Sequence, residues 1–146
     1  MVAKYEVETK FLGPSSPHEH ELRVFNRTLT WTAEGIEYEA DQRHAELIVK
    51  GMEIENAAPA PTPGATYTKK EAKAYEDSAL MSNPDASAFR GLAAKLNYLS
   101  LDRADLQYAA KEVAKKMAAP READWAKLKR VARYLVGAPR LVQIFC

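Results

Sequence analysis

Residues 124–137 read DWAKLKRVARYLVG, and this stretch has the spacing of an amphipathic helix. At about 100° per residue, its apolar side chains fall within a narrow arc and its cations spread over the opposite side. Gly137 and Pro139 end the pattern. The apolar arc contains Trp125, Leu128, Ala132 and Leu135, and the basic side contains Lys127, Lys129, Arg130 and Arg133. The stretch predicts a helix with one face on a core and a basic face opposite it.

Two more helices are predicted just before this one. Asn83-Pro84 is typical of a helix start, with Asn83 as the cap and Pro84 at the first helical position, where proline loses no hydrogen bond. The pattern breaks at LSLD, residues 99–102, and a second stripe ends at Ala119-Pro120. The first stripe contains Phe89, Leu92, Ala93, Leu96 and Leu99, and the second contains Leu106, Ala109, Ala110, Val113 and Met117. We therefore expect residues 83–146 to form a basic three-helix bundle.

The amino-terminal half has the features of strands. KYEVETKFLG, residues 4–13, is rich in β-branched and aromatic residues and precedes a polar loop, GPSSPHEH. ELRVFNRTLTW, residues 21–31, is interpreted as one strand with Phe25, Arg27, Leu29 and Trp31 on one face. GIEYEAD alternates with period two after a turn at Thr32–Gly35, where Gly35 can adopt a positive φ. These patterns predict an antiparallel hairpin or small sheet.

A short helix, DQRHAELIVKGM, follows the hairpin with Asp41 as its predicted N-cap. Residues 55–68, ENAAPAPTPGATYT, contain three prolines and predict an extended connector. KKEAKAYEDSALM predicts a helical turn or two. We expect an α+β fold in three parts: residues 1–54 with the hairpin and first helix, residues 55–82 with the Pro-rich connector, and residues 83–146 with the bundle.

Composition bounds the function. No run of eighteen apolar residues occurs, and MVAKYEVETK lacks a signal-peptide pattern, so we expect an intracellular, cytoplasmic or nuclear protein with no membrane partner. The only cysteine, Cys146, excludes an internal disulfide. The net charge of +1 hides an asymmetry, because residues 86–146 carry twelve Lys or Arg against five acids, a balance of +7. That balance favours a polyanionic partner, and solvated basic helices are the alternative.

The sequence offers little for catalysis. Two-metal chemistry needs converging carboxylates, but no Asp-Asp pair occurs and Glu37 and Glu39 alternate onto one face of a strand. No glycine-rich phosphate loop or nucleophile arrangement is present. His18 and His20 have no third ligand nearby. We therefore expect no catalytic residues, metal or cofactor, and no independent enzyme.

FRGLAAKLNYLSLDRADLQYAAKEVAKKM, residues 89–117, followed by DWAKLKRVARYLVG, resembles the segment between the palm and ribonuclease H domains of copia-type LTR retrotransposon reverse transcriptases. GIEYEADQRHAELIVKGM with its Pro-rich sequel is similar to the passage from the palm into the thumb. Ala104 stands where that family usually has proline. The matching residues are Phe89, Arg90, Lys95, Leu96, Tyr98, Leu99, Arg103, Asp105, Tyr108, Ala109, Trp125, Lys129, Arg130, Arg133, Tyr134, Leu135 and Gly137.

The resemblance implies a fragment of a pol polyprotein. The family's catalytic Tyr-x-Asp-Asp strand would precede Met1, and its ribonuclease H carboxylates would follow Cys146, so the palm and ribonuclease H domains become expected partners. The hairpin then corresponds to the primer grip, and the helices to thumb and connection elements along a template-primer duplex. LVQIF would begin the next domain.

These implied roles give a set of nucleic-acid contacts. Phe25 suits a sugar or base face and Arg27 a phosphate, while cations one helical turn apart suit successive phosphates of an RNA–DNA hybrid. Trp125, Tyr98 and Tyr134 are assigned to packing. The candidate nucleic-acid-binding residues are Phe25, Asn26, Arg27, Lys111, Lys115, Lys127, Lys129, Arg130 and Arg133.

Three alternatives stay open. In the first, these residues have no binding role: Phe25 and Trp31 are ordinary core residues with Arg27 extending past them, and each cation lies on a solvated helix face. A decayed transposon product or a reused protein-interaction module would instead expose an apolar patch at Phe25, Trp31 and Tyr38. A stand-alone helical DNA-binding domain is disfavoured, because no glycine turn separates Met117 from Arg121.

Overall fold

The computed structural model describes residues 5–146, so Lys4 of the predicted first strand lies outside the described residues. The chain divides into two compact units. One is a sheet unit that extends to Asp41 and includes Val142–Cys146, and the other is a helical unit, Gln42–Leu141. The sequence-based boundaries fell at residues 54 and 82 instead. The difference arises because the short first helix packs on the bundle helices and the last strand returns to the sheet.

The sheet unit contains a four-stranded antiparallel sheet. Its strands are β1 (Glu21–Val24), β2 (Arg27–Trp31), β3 (Ile36–Glu39) and β4 (Val142–Phe145), in that spatial order. The α+β fold is confirmed. The prediction that LVQIF begins another domain was wrong, because residues 142–145 pair with β3.

Two strand predictions need correction. Residues 5–11 form no regular strand, and Leu12 makes only an isolated bridge with Glu19. ELRVFNRTLTW is two strands, because Phe25 and Asn26 form a tight turn between β1 and β2. Their φ values of 49° and 63° are those of a two-residue type I′ turn, whose twist matches that of the flanking strands. The absence of glycine at this turn concealed it in the sequence.

The predicted turn at Thr32–Gly35 is confirmed. Thr32 N–H donates to the Gly35 carbonyl at 2.8 Å, and Gly35 has a φ of 147°. A Cβ on Gly35 would lie 2.3 Å from the Phe145 carbonyl oxygen. Glycine is therefore needed here both for its backbone conformation and for the close approach of β4.

The helical unit contains α1 (Arg43–Gly51), α2 (Lys69–Asp77), α3 (Asn83–Ser100), α4 (Gln107–Ala114) and α5 (Asp124–Gly137). A 3-10 turn at Ala104–Leu106 leads into α4, at the position where the resembled family has proline. Helix α1 packs against α3 and α5, and α4 packs against the same two helices. The predicted bundle stripes form this core, and the buried members are Phe89, Leu92, Ala93, Leu96, Leu99, Leu106, Ala109, Ala110, Val113, Leu128, Ala132 and Leu135.

Helix starts differ from the predictions by one or two residues. Gln42, not Asp41, is the N-cap of α1 and makes no side-chain capping bond, while Ser82 caps α3 in place of Asn83. Helix α2 is longer than predicted because Thr68 and Glu71 form a reciprocal capping box. No side chain of α2 is buried, so its cap provides the stabilisation that an apolar stripe packed on the core would otherwise provide. Among residues 5–146, no helix has the length and apolar character needed to cross a membrane.

Candidate nucleic-acid interface

The candidate residues of the sheet unit lie at the tip of the β1–β2 hairpin. Phe25 occupies the first turn position and is 81% exposed, and Asn26 beside it is also exposed. A bulky residue at positive φ is strained, and here no burial compensates for the strain. Such strain at an exposed position is most common at functional sites. The tip therefore presents an aromatic ring that local stability does not explain.

Arg27 begins β2 directly opposite Val24 in the strand register. Alternate residues of a strand share a face, so Arg27 lies on the same face as Leu29 and Trp31 of β2. Directly opposed residues of neighbouring strands lie on that face too. This part of the prediction is confirmed, whereas the placement of Phe25 on that face was wrong because Phe25 is in the turn. The other apolar residues of this face are Leu22, Val24, Ile36, Tyr38 and Phe145.

This apolar face is incompletely buried. Val24 is 44% exposed and Phe145 57% exposed, while Trp31 and Tyr38 are half-buried. The ring of Tyr38 contacts that of Phe145 edge-on, with centroids 6.4 Å apart. The opposite face carries Thr28, Thr30, Glu37 and Glu39 together with Val142 and Ile144.

In the helical unit, α4 presents two exposed lysines. Lys111 lies within the helix and Lys115 is the residue that ends it, one turn away. The Lys115 ammonium pairs with the Glu112 carboxylate at 2.5 Å. This hydrogen bond lowers the pKa of Glu112, and the charges of Lys115, Lys127 and Lys111 lower it further. The same hydrogen bond raises the pKa of Lys115. The charges of three lysines thus act on one carboxylate.

The basic side of α5 divides into exposed and engaged cations. Lys129 is exposed. The Lys127 Nζ lies 3.4 Å from an Asp124 carboxylate oxygen and 5.3 Å from the centroid of the Tyr75 ring, and its side chain is mostly buried.

The two arginines of α5 bind the connector, residues 55–68. Arg130 Nε donates to the Gly64 carbonyl at 3.0 Å, and its Nη2 donates to Thr62 Oγ1 at 2.9 Å. Arg133 Nε donates to the Ala58 carbonyl at 2.7 Å. Ala60 N–H also donates to the Arg133 carbonyl at 3.1 Å. Sequence reasoning missed this contact, although a Pro-rich segment beside a helix leaves carbonyls that an arginine fork can satisfy.

Several residues that carry the resemblance form a buried polar cluster. Arg103 is 1% exposed and donates to both carboxylate oxygens of Asp105, at 2.9 and 2.6 Å. The same guanidinium donates to the Ala138 and Pro139 carbonyls, and the Tyr134 hydroxyl donates to Asp105 at 2.8 Å. This cluster joins the start of α4 to the end of α5.

Burial and hydrogen bonding compete at Asp105. Burial alone would raise the pKa of the Asp105 carboxyl, but the hydrogen bonds from Arg103 and Tyr134 and the nearby positive charge outweigh it, so the pKa lies below its ordinary value. Burial and the bond to Asp105 raise the pKa of Tyr134. The assignment of Tyr134 to packing therefore needs an addition, because its hydroxyl completes the cluster.

The other aromatic residues assigned to packing have identifiable contacts. The Trp125 ring meets that of Phe89 edge-on, with centroids 5.6 Å apart. Tyr98 lies against the His44 ring at 4.5 Å and is still 42% exposed. Arg90 Nε donates to the Met117 carbonyl at 2.7 Å. This bond attaches the segment that follows α4 to helix α3. In residues 5–146, no group of three or more His, Cys, Asp or Glu side chains is arranged to hold a metal ion.

Known proteins similar to this chain include two polyproteins from transposons and one uncharacterized protein. The Retrovirus-related Pol polyprotein from transposon RE2 of Arabidopsis thaliana is 43% identical over 56 residues, which is 38% of this chain and 4% of that protein. The corresponding polyprotein from transposon RE1 is 38% identical over 55 residues, again 38% of this chain and 4% of the polyprotein. An uncharacterized mitochondrial protein of Arabidopsis thaliana is 46% identical over 54 residues, or 37% of this chain and 22% of that protein.

The chain thus spans a small part of the relatives it matches. No protein-family model matches it, and no solved structure matches it. The similarity supports the prediction that this chain is a segment of a retrotransposon Pol polyprotein.

Proposed function

We propose that this chain is a non-catalytic segment of a retrotransposon reverse transcriptase that holds the template-primer duplex, an RNA–DNA hybrid, by electrostatic contact with its backbone. The observation that carries the proposal is the set of exposed lysines, Lys111, Lys115 and Lys129, on two helices of a strongly basic segment. Phosphate contacts of this kind position a duplex without reading its sequence.

The cations of the original candidate set then have two roles. Lys111, Lys115 and Lys129 contact phosphates, because their ammonium groups are on exposed side chains. Lys127, Arg130 and Arg133 hold α5 and the connector in place through the contacts described above. At the hairpin tip, Phe25 contacts a sugar or base of the nucleic acid, while Asn26 and Arg27 bind its adjacent sugar-phosphate backbone. Metal chemistry belongs to a palm domain, which is the partner that this proposal requires.

Fluorescence anisotropy with a labelled RNA–DNA hybrid tests the proposal. Each phosphate contact contributes about 0.9 to the slope of log affinity against log salt concentration. Replacing Lys111, Lys115 and Lys129 together with alanine should therefore reduce that slope by nearly three. The matched control replaces Lys69, Lys70 and Lys73, which are exposed on α2 and remove the same charge. Equal effects of the two triple variants, or no hybrid binding at low salt, would overturn the proposal.

A protein-interaction module is the second candidate, and the apolar face of the sheet favours it. Val24 and Phe145 lie on that face with about half of their surface exposed. Exposed apolar surface of this kind promotes association. Sedimentation velocity separates the two candidates: association that a Val24→Lys, Phe145→Lys double variant abolishes, together with no hybrid binding, supports the interaction module.

A further inference from the structure

A cleft of about 270 Å³ lies in the helical unit between the connector, α4 and α5. Its floor is apolar, since Val113 and Val131 are each 1% exposed. Tyr67 lines it from the connector and Tyr108 from α4. The volume is just below the range of about 300–1,000 Å³ for small-molecule sites, which suits one aromatic ring system.

The two tyrosines of the cleft differ in exposure. Tyr67 meets the Tyr75 ring edge-on with centroids 4.9 Å apart, and burial together with a hydrogen bond to Tyr75 raises the pKa of Tyr67 to about 12. Its phenol is therefore neutral at physiological pH. Tyr108 is 68% exposed and leaves most of its ring available. A Cβ on Gly64 would lie 3.5 Å from the Tyr108 ring, so the ring lies over the connector that Arg130 holds.

Charged groups surround the cleft. Glu112 and Lys127 line it, Lys115 pairs with Glu112, and the charge of Lys111 acts on the same carboxylate. Arg130 and Glu71 act on Tyr67, and Asp124 lies beside Lys127. Four cations thus face three carboxylates, which leaves an excess of one positive charge. An aromatic site with that excess suits a planar ring attached to an anionic group.

We propose that this cleft binds a single unpaired nucleotide, with the base against Tyr108 and the phosphate near Lys111 and Lys115. Nucleobases stack on aromatic side chains without sequence preference, and lysine ammonium groups bind phosphate as point charges. The inference goes beyond the proposed function, because holding a duplex by its backbone requires no base contact. The same chemistry is available from a free nucleotide or from one nucleotide of a single strand.

Isothermal titration calorimetry of the full chain with adenosine 5′-monophosphate tests the site. Tyr108→Ala should weaken binding about fivefold or more, because stacking on an aromatic side chain contributes at least that much per base. Tyr5→Ala is the matched control, since Tyr5 is also 68% exposed and does not line the cleft. Lys111→Ala should also weaken binding, and adenosine without its phosphate should bind more weakly to the unaltered chain.

The outcomes are decisive in both directions. Undetectable binding of the monophosphate, equal binding by Tyr108→Ala, or competition by inorganic phosphate at the same concentration as the nucleotide would overturn the inference. If a single-stranded oligonucleotide displaces the monophosphate, the site takes nucleotides of a strand. If the oligonucleotide does not displace it, the site takes the free nucleotide.

The test is independent of duplex binding. Tyr108→Ala should leave the salt dependence of RNA–DNA hybrid binding unchanged, because tyrosine neutralises no phosphate. Loss of hybrid binding with nucleotide binding intact would contradict the proposed function alone. Loss of nucleotide binding with hybrid binding intact would contradict the cleft site alone.

Discussion

Phe25 occupies a position that its side chain does not favour. Asparagine adopts positive φ more readily than phenylalanine does, so Phe25→Asn should stabilise the chain by about 1 kcal/mol. If the ring contacts a sugar or base, the same variant should weaken hybrid binding. Urea denaturation and anisotropy measure the two effects.

The control for this variant is Asn26→Gly at the neighbouring turn position, where φ is 63°. Glycine removes the strain there and keeps the Phe25 ring, so stability should rise while binding stays unchanged. Unchanged hybrid binding by Phe25→Asn would exclude the ring from the interface.

Asp105 should make the stability of the helical unit depend on pH. Its pKa is lowered in the folded chain, so its stabilising contribution is complete above the unfolded value of about 3.9 and is lost as pH falls through the folded pKa. Asp105→Asn leaves Arg103 buried beside a neutral partner, which should cost roughly 3 kcal/mol at pH 7.

Urea titrations at pH 7 and at about pH 2.5 measure this dependence, and the difference between the variant and the unaltered chain should shrink at the lower pH. Tyr134→Phe is a graded control, because it removes one hydrogen bond to Asp105 and should cost about 1 kcal/mol. A constant difference across this range would contradict the assigned pKa direction.

At the residue scale, the sequence indicates which side chains matter better than it indicates their contacts. Arg103, Asp105 and Tyr134 stand out through the resemblance, yet their joint contact spans about thirty residues of chain and has no local pattern. Arg130 and Arg133 appear on a basic helix face in the sequence, but the connector that binds them lies far from α5 along the chain.

Helix α5 and the connector behave as one element. Arg130→Ala removes two hydrogen bonds to the connector, so residues 62–65 should become mobile. Backbone order parameters from NMR relaxation should fall there from about 0.85 towards 0.6. Lys129→Ala, an exposed neighbour on the same helix, is the control and should leave the connector unchanged.

Unchanged order parameters in Arg130→Ala would show that other contacts are sufficient to hold the connector. The backbone bond from Ala60 to Arg133 and the contact between Pro59 and Gly137 are the relevant ones, because neither needs the Arg130 side chain.

At the element scale, periodicity predicted α3, α4 and α5 because each places an apolar stripe on the core. Helix α2 was underestimated because it buries no side chain, although its Thr68-x-x-Glu71 capping box is visible in the sequence. The β1–β2 hairpin was missed because Phe25-Asn26 lacks the glycine that usually marks such a turn, so a continuous β-rich run concealed the reversal.

At the scale of the whole molecule, β4 joins residues near the carboxyl terminus to β3. Gly35→Ala should disrupt this pairing, because the new Cβ would approach the Phe145 carbonyl and the φ of 147° disfavours alanine. We expect a loss of about 1–3 kcal/mol and faster amide hydrogen exchange in β3 and β4. Gly91→Ala is the control, since nothing lies within 4 Å of the Cβ that this variant would add and alanine favours helix.

Unaltered exchange in β4 with faster exchange in β1 and β2 would instead assign the role of Gly35 to the Thr32–Gly35 turn alone. The pairing of β3 with β4 had no signal in the sequence, because a strand's partner is set by tertiary structure when the two strands are far apart along the chain.

The order of strands also constrains how the chain folds during its synthesis on the ribosome. β1, β2 and β3 are synthesised first, but the outer edge of β3 stays unpaired until the last strand is made. Contacts between segments so distant in sequence form slowly, whereas the helices between them depend mainly on nearer neighbours. During synthesis the open edge of β3 is a place where a chaperone or another nascent chain can pair by strand addition.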